Sequence, residues 1–175
     1  MDDPDERAEP AVLPLADAVC LALVAEGPTH GWTLVKLLAP GGEIGRIWSL
    51  SRPLTYRSVD KLVAARLVDR EPGDRRAMLT ATATGRRTSE EWLTTPVEHL
   101  RELRTQFLVK LVLLDRVGRD RQALVAAQRA ALSDTIASLT AEAPADPVEL
   151  WRHESARAAA RYLERLDRLV ADPGA

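Results

Sequence analysis

The sequence has few of the residues that enzymes use for chemistry. Among its 175 residues there are one cysteine, Cys20, and three histidines. A single cysteine excludes an internal disulfide and a cysteine-based metal cluster, and we expect Cys20 to be buried in an apolar helix. His30, His99 and His153 are too isolated for a metal-ligand spacing. Because no nucleophile, base and orienting residue come together and no phosphate-loop motif occurs, we expect neither an enzyme nor a cofactor.

Long apolar runs are also absent. No run approaches the roughly 18 residues that a membrane-spanning helix needs. The N-terminal segment does not pair basic residues with an apolar stretch, as a secretory signal does. We therefore expect a cytoplasmic protein that does not enter a membrane.

Aromatic residues make up only 4% of the chain, whereas apolar residues make up 46%. Alanine and leucine are abundant and runs of β-branched residues are scarce, which favours a mainly α-helical protein. The length suits either one domain with a sizeable core or two small domains that share an interface.

Charge is distributed unevenly along the chain, although the net charge is only −2. Residues 1–45 contain two basic and eight acidic residues, a net charge of −6. Residues 46–87 contain ten basic and four acidic residues, a net charge of +6. A basic cluster of this kind is typical of a surface that binds phosphate groups.

The segment Trp48–Ala65 lies inside this basic block and is predicted to form a short helix. Ser51 is a natural N-cap and Pro53 suits a first turn, so the helix should begin at about Arg52. Free backbone N–H groups, the helix dipole and guanidinium groups at this end all favour a phosphate. We predict that five residues contact DNA: Arg52, Thr55, Tyr56, Arg57 and Lys61. The alternative is an ordinary amphipathic surface helix.

Two further helices are predicted before this one. Residues 1–12 are acidic and contain two prolines, which indicates a disordered tail. An apolar helix should cover Leu13–Ala25, and Thr29 should cap a second helix that ends near Ala39.

A β-hairpin is predicted after the helix in Trp48–Ala65. Its strands should lie at Leu67–Arg70 and Ala77–Ala81, with Pro-Gly-Asp in the turn between them. Three helices followed by a hairpin are the order of a winged helix-turn-helix, in which the hairpin is the wing. We expect Arg75 and Arg76 in the wing to contact DNA. The alternative is that their charge keeps an edge strand soluble.

The rest of the chain is predicted to be helical. A fourth helix should start from a cap at Thr82 or Thr84 and end before Pro96, which closes a DNA-binding domain at residues 13–95. Residues 96–175 should form a dimerisation domain of three helices: Val97–Val117, Asp120–Ala143 and Val148–Ala171. Their apolar stripes exceed what one thin layer can bury, so we expect a homodimer. Four residues are predicted in its interface: Tyr162, Leu163, Leu166 and Leu169.

Two tryptophans suggest a ligand site. We predict an effector pocket between the fourth helix and the C-terminal helices, with Trp92 and Trp151 in its wall, because tryptophan offers a flat apolar surface to an aromatic or lipophilic molecule. The alternative is that both side chains fill the core.

Several segments together resemble the PadR-like transcriptional regulators. They are LALVAEGPTHGWTLVKLL (21–38), LSRPLTYRSVDKLVAARLV (50–68), TATG (82–85) and LRELRTQFLVKLVLLDRVGRD (100–120). The resemblance implies a bacterial one-component repressor with an N-terminal winged helix-turn-helix and a C-terminal helical dimerisation unit, often controlled by a small molecule such as a phenolic compound or a lipophilic drug. Tyr56 and Arg57 match the family, which implies that they contact DNA.

The chain departs from the family at two places. The recognition segment usually reads Pro-Gly-Thr-Leu-Tyr-Arg, whereas here Leu54 stands where Thr is usual and Thr55 where Leu is usual. Met78 and Leu79 replace the usual aromatic residues of the wing.

Taken together, the charge, the predicted elements and the resemblance indicate a sequence-specific DNA-binding transcriptional regulator, a repressor whose dimer binds a pseudo-palindromic operator. The predicted fold is mainly α with a small β-hairpin. The competing hypothesis is a winged helix that serves only protein–protein contact and does not bind DNA.

Overall fold

A computed structural model describes residues 13–71 and 77–171 of the chain. The predicted disordered tail at residues 1–12 and the predicted wing contacts Arg75 and Arg76 lie outside the described residues. Among those that are described, no helix combines the length and the apolar character needed to cross a membrane.

The N-terminal half has the predicted order of a winged helix-turn-helix. Its elements are α1 (Leu15–Ala25), β1 (Thr29–His30), α2 (Gly31–Leu38), α3 (Arg52–Ala64), β2 (Val68–Arg70), β3 (Met78–Ala81) and α4 (Ala83–Thr94). The predicted hairpin strands are confirmed to within one residue at their starts. The fold is therefore mainly α with a small sheet, as the sequence indicated.

The sheet contains one strand more than predicted. Thr29 does not cap α2, because Thr29 and His30 form β1 and pair antiparallel with Leu79 and Met78 of β3. The strand order is β1-β3-β2, so β3 is central and both its edges are paired. His30 Nδ1 lies 3.4 Å from the Ala77 carbonyl oxygen, so this histidine side chain connects β1 to the residue that precedes β3.

Helix α3 begins at Arg52, as predicted, with Ser51 in the N-cap position. The Ser51 hydroxyl makes no capping hydrogen bond, so that part of the prediction is wrong. At the other end the chain turns through Arg66, whose φ of 57° is left-handed. The Arg66 N–H donates to the Val63 carbonyl and the Leu67 N–H donates to the Leu62 carbonyl. These two hydrogen bonds close the helix just before β2 begins.

Helix α4 shows the predicted cap at Thr82. The Thr82 hydroxyl accepts a hydrogen bond of 3.0 Å from the Gly85 N–H. A Cβ on Gly85 would lie 2.0 Å from the Leu67 carbonyl oxygen, so glycine is required where α4 crosses the start of β2. The helix ends at Thr94, before Pro96.

The predicted long helix Val97–Val117 is not continuous. It starts at Leu100 with a 3-10 turn to Glu102, widens into a π-helical turn at Leu103–Phe107, and becomes regular only in α5 (Leu108–Arg116). The extra residue per turn changes which side chains face inward and brings Lys110 into the interior, where it is 1% exposed. Helices α6 (Gln122–Thr140) and α7 (Pro147–Ala171) then form an antiparallel pair.

Helix α5 joins the two halves of the molecule. It packs against α1 and α4, and Phe107 before it is fully buried. Arg116 near its C-terminus donates to both carboxylate oxygens of Glu26, at 2.8 and 2.9 Å, and also to Glu43. We call the N-terminal half, from α1 to α4, the first unit and the rest of the described chain the second unit. The first unit is therefore held to α5 by apolar packing and by the ion pairs of Arg116.

Candidate nucleic-acid interface

Helices α2 and α3 meet at the surface and bring together two cations and two aromatic rings. Trp32 and Lys36 come from α2, whereas Arg52 and Tyr56 come from α3. Arg52 Cζ lies 6.0 Å from the centroid of the Trp32 ring and 5.8 Å from that of the Tyr56 ring. Lys36 Nζ lies 5.3 Å from the Trp32 ring. We call these four residues the cationic-aromatic cluster.

Gly31 allows the two helices to approach each other. A Cβ at this position would lie 2.8 Å from Cε1 of Tyr56, closer than ordinary packing permits. The half-buried Tyr56 ring therefore rests against the first residue of α2. This contact holds the Tyr56 ring in place beside Arg52.

The prediction that Thr55 contacts DNA is wrong, because its side chain has no exposed surface. Its hydroxyl donates a hydrogen bond of 3.1 Å to the Ser51 carbonyl. Thr55, Val59 and Leu62 follow one another at steps of four and three residues and share the inner face of α3. Leu54, the neighbour that exchanges residue type with Thr55 relative to the family pattern, is 45% exposed.

The basic residues of α3 differ in how they are paired. Lys61 Nζ lies 3.6 Å from the carboxylate of Asp17 in α1, so this predicted DNA contact already has a partner within the chain. Arg70 in β2 donates to Asp60 at 2.6 Å. Within residues 13–71 and 77–171, no carboxylate forms an ion pair with Arg52 or Arg57, and both are exposed. Among the basic residues of α3, these two guanidinium groups are therefore available to an anion.

Behind the interface, the packing of α1 against α3 encloses several polar groups. Asp17, Cys20 and Ser58 are all buried. Burial, together with the nearby Asp17 carboxylate, raises the pKa of the Cys20 thiol to about 12, so the thiol stays protonated and unreactive. Within the described residues, no group of three His, Cys, Asp or Glu side chains is arranged to hold a metal ion.

The two predicted wall residues of the effector pocket, Trp92 and Trp151, do not line the same groove. Trp92 is half-buried at the end of α4, with Lys110 Nζ 4.9 Å from its ring. Trp151 is 74% exposed on α7. A groove of about 600 Å³ does include Trp151, and it lies wholly in the C-terminal half. Its wall is formed mainly by Leu100, Leu103, Leu108, Leu139, Trp151 and Tyr162, with Arg101, Arg104 and Arg152 beside them.

The four predicted interface residues divide between two faces of α7. Leu163 is 2% exposed, and Leu166 is half-buried against the same core, so both face the interior of the chain. Tyr162 and Leu169 face outward, with exposed fractions of 37% and 63%. Burial raises the pKa of Tyr162 above its ordinary value.

Sequence reasoning missed Trp32, Lys36 and Gly31 as members of the site. The turn residues of GPTHGW marked the start of α2, but nothing local showed that Trp32 would meet Arg52 twenty residues later. The burial of Thr55 was accessible to sequence reasoning, because its spacing to Val59 and Leu62 is helical. The contribution of α2 required the tertiary structure.

No family model matches the chain, and no curated protein matches it. Solved structures of Bacillus subtilis PadR are similar to it. The structure with operator DNA has 15% identity and a TM-score of 0.46, and the match covers 90% of this chain and 99% of that one. The structure with p-coumaric acid has 17% identity and a TM-score of 0.45, with 90% and 99% covered. PadR itself has 17% identity and a TM-score of 0.42, with 92% and 98% covered.

Proposed function

We propose that the protein is a sequence-specific DNA-binding transcriptional regulator that presents the N-terminal end of α3 to the major groove. The observation that carries this proposal is the pair of exposed guanidinium groups, Arg52 and Arg57, which have no carboxylate partner among the described residues. They stand at a helix N-terminus in a winged helix, where the dipole and free N–H groups favour phosphate and the side chains can reach base edges.

The two helices would divide the work of binding. Arginine at the start of a recognition helix can donate two hydrogen bonds to guanine, whereas Lys36 of α2 would contact the flanking phosphates. The ring of Tyr56 in α3 lies against Gly31 at the start of α2. Arg75 and Arg76, in the predicted wing, would add phosphate contacts on the other side of α3.

A homodimer would supply the second recognition helix. Its two-fold symmetry would place two copies of α3 in successive major grooves of a pseudo-palindromic operator, roughly 34 Å apart. Repression of transcription, the mode implied by the PadR-like sequence segments, follows if that operator overlaps a promoter. The competing hypothesis is a winged helix that binds only protein, with the acidic residues 1–12 neutralising the basic face.

Substitution of single arginines tests the DNA-binding mechanism. With an operator selected from genomic fragments, Arg57→Ala should lose about 1–3 kcal/mol of binding free energy and relax the preference at one base pair. Arg75→Ala should weaken all sequences alike and reduce the salt slope by about one. Arg70→Ala is the matched control, because Arg70 is paired with Asp60 and should have a smaller effect.

Two results would reject the mechanism. One is a folded double variant, Arg57→Ala with Arg75→Ala, that keeps the affinity and salt dependence of the wild type. The other is a full-length protein that does not bind DNA although the protein without residues 1–12 does. This would support the protein-binding alternative, in which the acidic residues neutralise the basic face.

For a small aromatic or lipophilic effector we propose the groove beside Trp151. Leucine side chains and the Trp151 and Tyr162 rings provide its apolar surface, and the neighbouring arginines can neutralise a carboxylate. Titration with an aromatic carboxylate should quench tryptophan fluorescence in the wild type and in Trp92→Leu. The quenching should disappear in Trp151→Leu. Its loss in Trp92→Leu instead would move the site to α4.

A further inference from the structure

Trp32 stands out among the exposed residues of the first unit. It is 52% exposed on α2, whereas the interior of that unit is formed by aliphatic side chains such as Leu21, Leu34 and Leu62. The Trp32 ring has cations from two different helices beside it, Lys36 and Arg52.

We propose that Trp32 is a positioning residue that orients the Arg52 guanidinium for reading a base pair. This inference rests on the proposed DNA-binding function and concerns the same interface. Arg52 lies at similar distances from the Trp32 and Tyr56 rings, 6.0 and 5.8 Å, one ring on each helix. A guanidinium beside two aromatic faces is attracted by both, which restricts the rotamers of a long and otherwise free side chain.

The Tyr56 ring is itself held in place. Tyr56 is fixed against the backbone of Gly31, where no side chain would fit. Thr55, between Tyr56 and Leu54, is buried and bonded to the Ser51 carbonyl, which anchors the first turn of α3. The packing of α2 against α3 therefore fixes the Tyr56 ring beside Arg52 before any DNA arrives.

Orientation has a larger effect on base reading than on phosphate binding. A guanidinium that donates two hydrogen bonds to one guanine edge needs a defined plane and direction, whereas a phosphate accepts a cation from many directions. Removal of the indole should therefore weaken binding through Arg52 alone and should broaden the preference at the base pair that Arg52 reads. Because Trp32 is half-exposed, the core should remain intact.

A double-mutant cycle on the full-length protein tests this inference. Binding to the selected operator and base preference at each position are measured for Trp32→Leu, Trp32→Tyr, Arg52→Ala and the double variant Trp32→Leu/Arg52→Ala. We expect Trp32→Leu to lose about tenfold in affinity and Trp32→Tyr, which keeps a ring, to stay within about threefold. The double variant should bind no more weakly than Arg52→Ala, because the role of Trp32 is then already lost.

Each other outcome has a defined meaning. If Trp32→Leu has the same effect with and without Arg52, or broadens no base position, Trp32 acts independently of Arg52 and the inference is wrong. Unchanged binding by Trp32→Leu also overturns it, while leaving the proposed function intact. If the wild type selects no DNA, both fail. If Trp32→Leu does not fold, Trp32→Gln replaces it as the variant without a ring. Its affinity and base preference are then compared with those of Trp32→Tyr, which keeps a ring.

Discussion

Lys110 shows how one residue links the two halves of the molecule. It is 1% exposed, and its ammonium donates a hydrogen bond of 2.6 Å to the carbonyl of Thr95, the C-cap of α4. A cation at a helix C-terminus interacts favourably with the helix dipole. The Trp92 ring covers the same ammonium. Lys110 therefore ties the end of α4 to α5 at the point where the chain leaves the first unit.

The burial of Lys110 predicts a pH dependence of stability. Burial lowers the pKa of Lys110 from 10.5 to about 8, against the opposing effect of Glu102. Between about pH 8 and pH 10.5 the unfolded chain then binds more protons than the folded one, so the contribution of this residue to stability rises with pH. Below pH 8 both states are protonated and the contribution is constant.

Urea unfolding from pH 7 to pH 10 measures this effect. The difference in unfolding free energy between the wild type and Lys110→Met should increase above about pH 8 in favour of the wild type. Lys36→Met, at an exposed lysine, controls for the general loss of a positive charge. A wild-type-minus-Lys110→Met difference that stays flat across this range would contradict the assignment.

At the scale of a single element, α7 carries apolar residues on two faces. One face contains Ala156, Ala159, Leu163 and Leu166 and packs against α6. The second contains Trp151, Tyr162 and Leu169, which are exposed and recur at steps compatible with one side of a helix. An apolar stripe of this kind on a helix that is already packed on its inner face is suited to a second copy of the chain.

Charged substitutions on this second face test the proposed homodimer. Tyr162→Glu combined with Leu169→Glu should convert a dimer into a folded monomer in sedimentation experiments, because two carboxylates would be buried without partners. Arg168→Glu, which lies about 100° around α7 from Leu169, is the matched control and should leave the dimer intact. A dimer that survives the double substitution would place the interface elsewhere.

At the scale of the whole molecule, the two units are joined more tightly than the predicted division at residues 95 and 96 suggests. Gln128 in α6 accepts from the Val97 N–H at 2.7 Å and donates to its carbonyl at 2.8 Å. Arg119 after α5 pairs with Glu90 of α4. Polar groups from the second unit thus fix the connecting segment. The division of the chain into two domains between residues 95 and 96 stays a prediction.

This connection has a consequence for the proposed DNA binding. The distance between the two copies of α3 in a dimer depends on how each first unit is oriented on its C-terminal helices. Contacts at Thr95 and Val97 fix that orientation without touching the cationic-aromatic cluster. A ligand in the Trp151 groove would act on the neighbouring Leu100–Leu108 segment, which follows the same connection.

Much of the fold was determined by local sequence signals. The start of α3 at Arg52, the Thr82 cap of α4 and the two hairpin strands were predicted correctly, because caps, prolines and turn residues act over a few positions. The basic block that contains Arg52 and Arg57 was also visible, since charge is a property of composition. These features depend on neighbours along the chain.

Only the tertiary structure decided the features that join distant segments. Pairing of Thr29 and His30 with β3, the contact of Trp32 with Arg52, and the burial of Lys110 beside Thr95 each bring together residues that no periodicity relates. The same holds for the separation of Trp92 from Trp151 and for the division of Tyr162 and Leu163 between two faces of α7. Sequence patterns specify which side of a helix is apolar, but the packing of whole elements determines what that side meets.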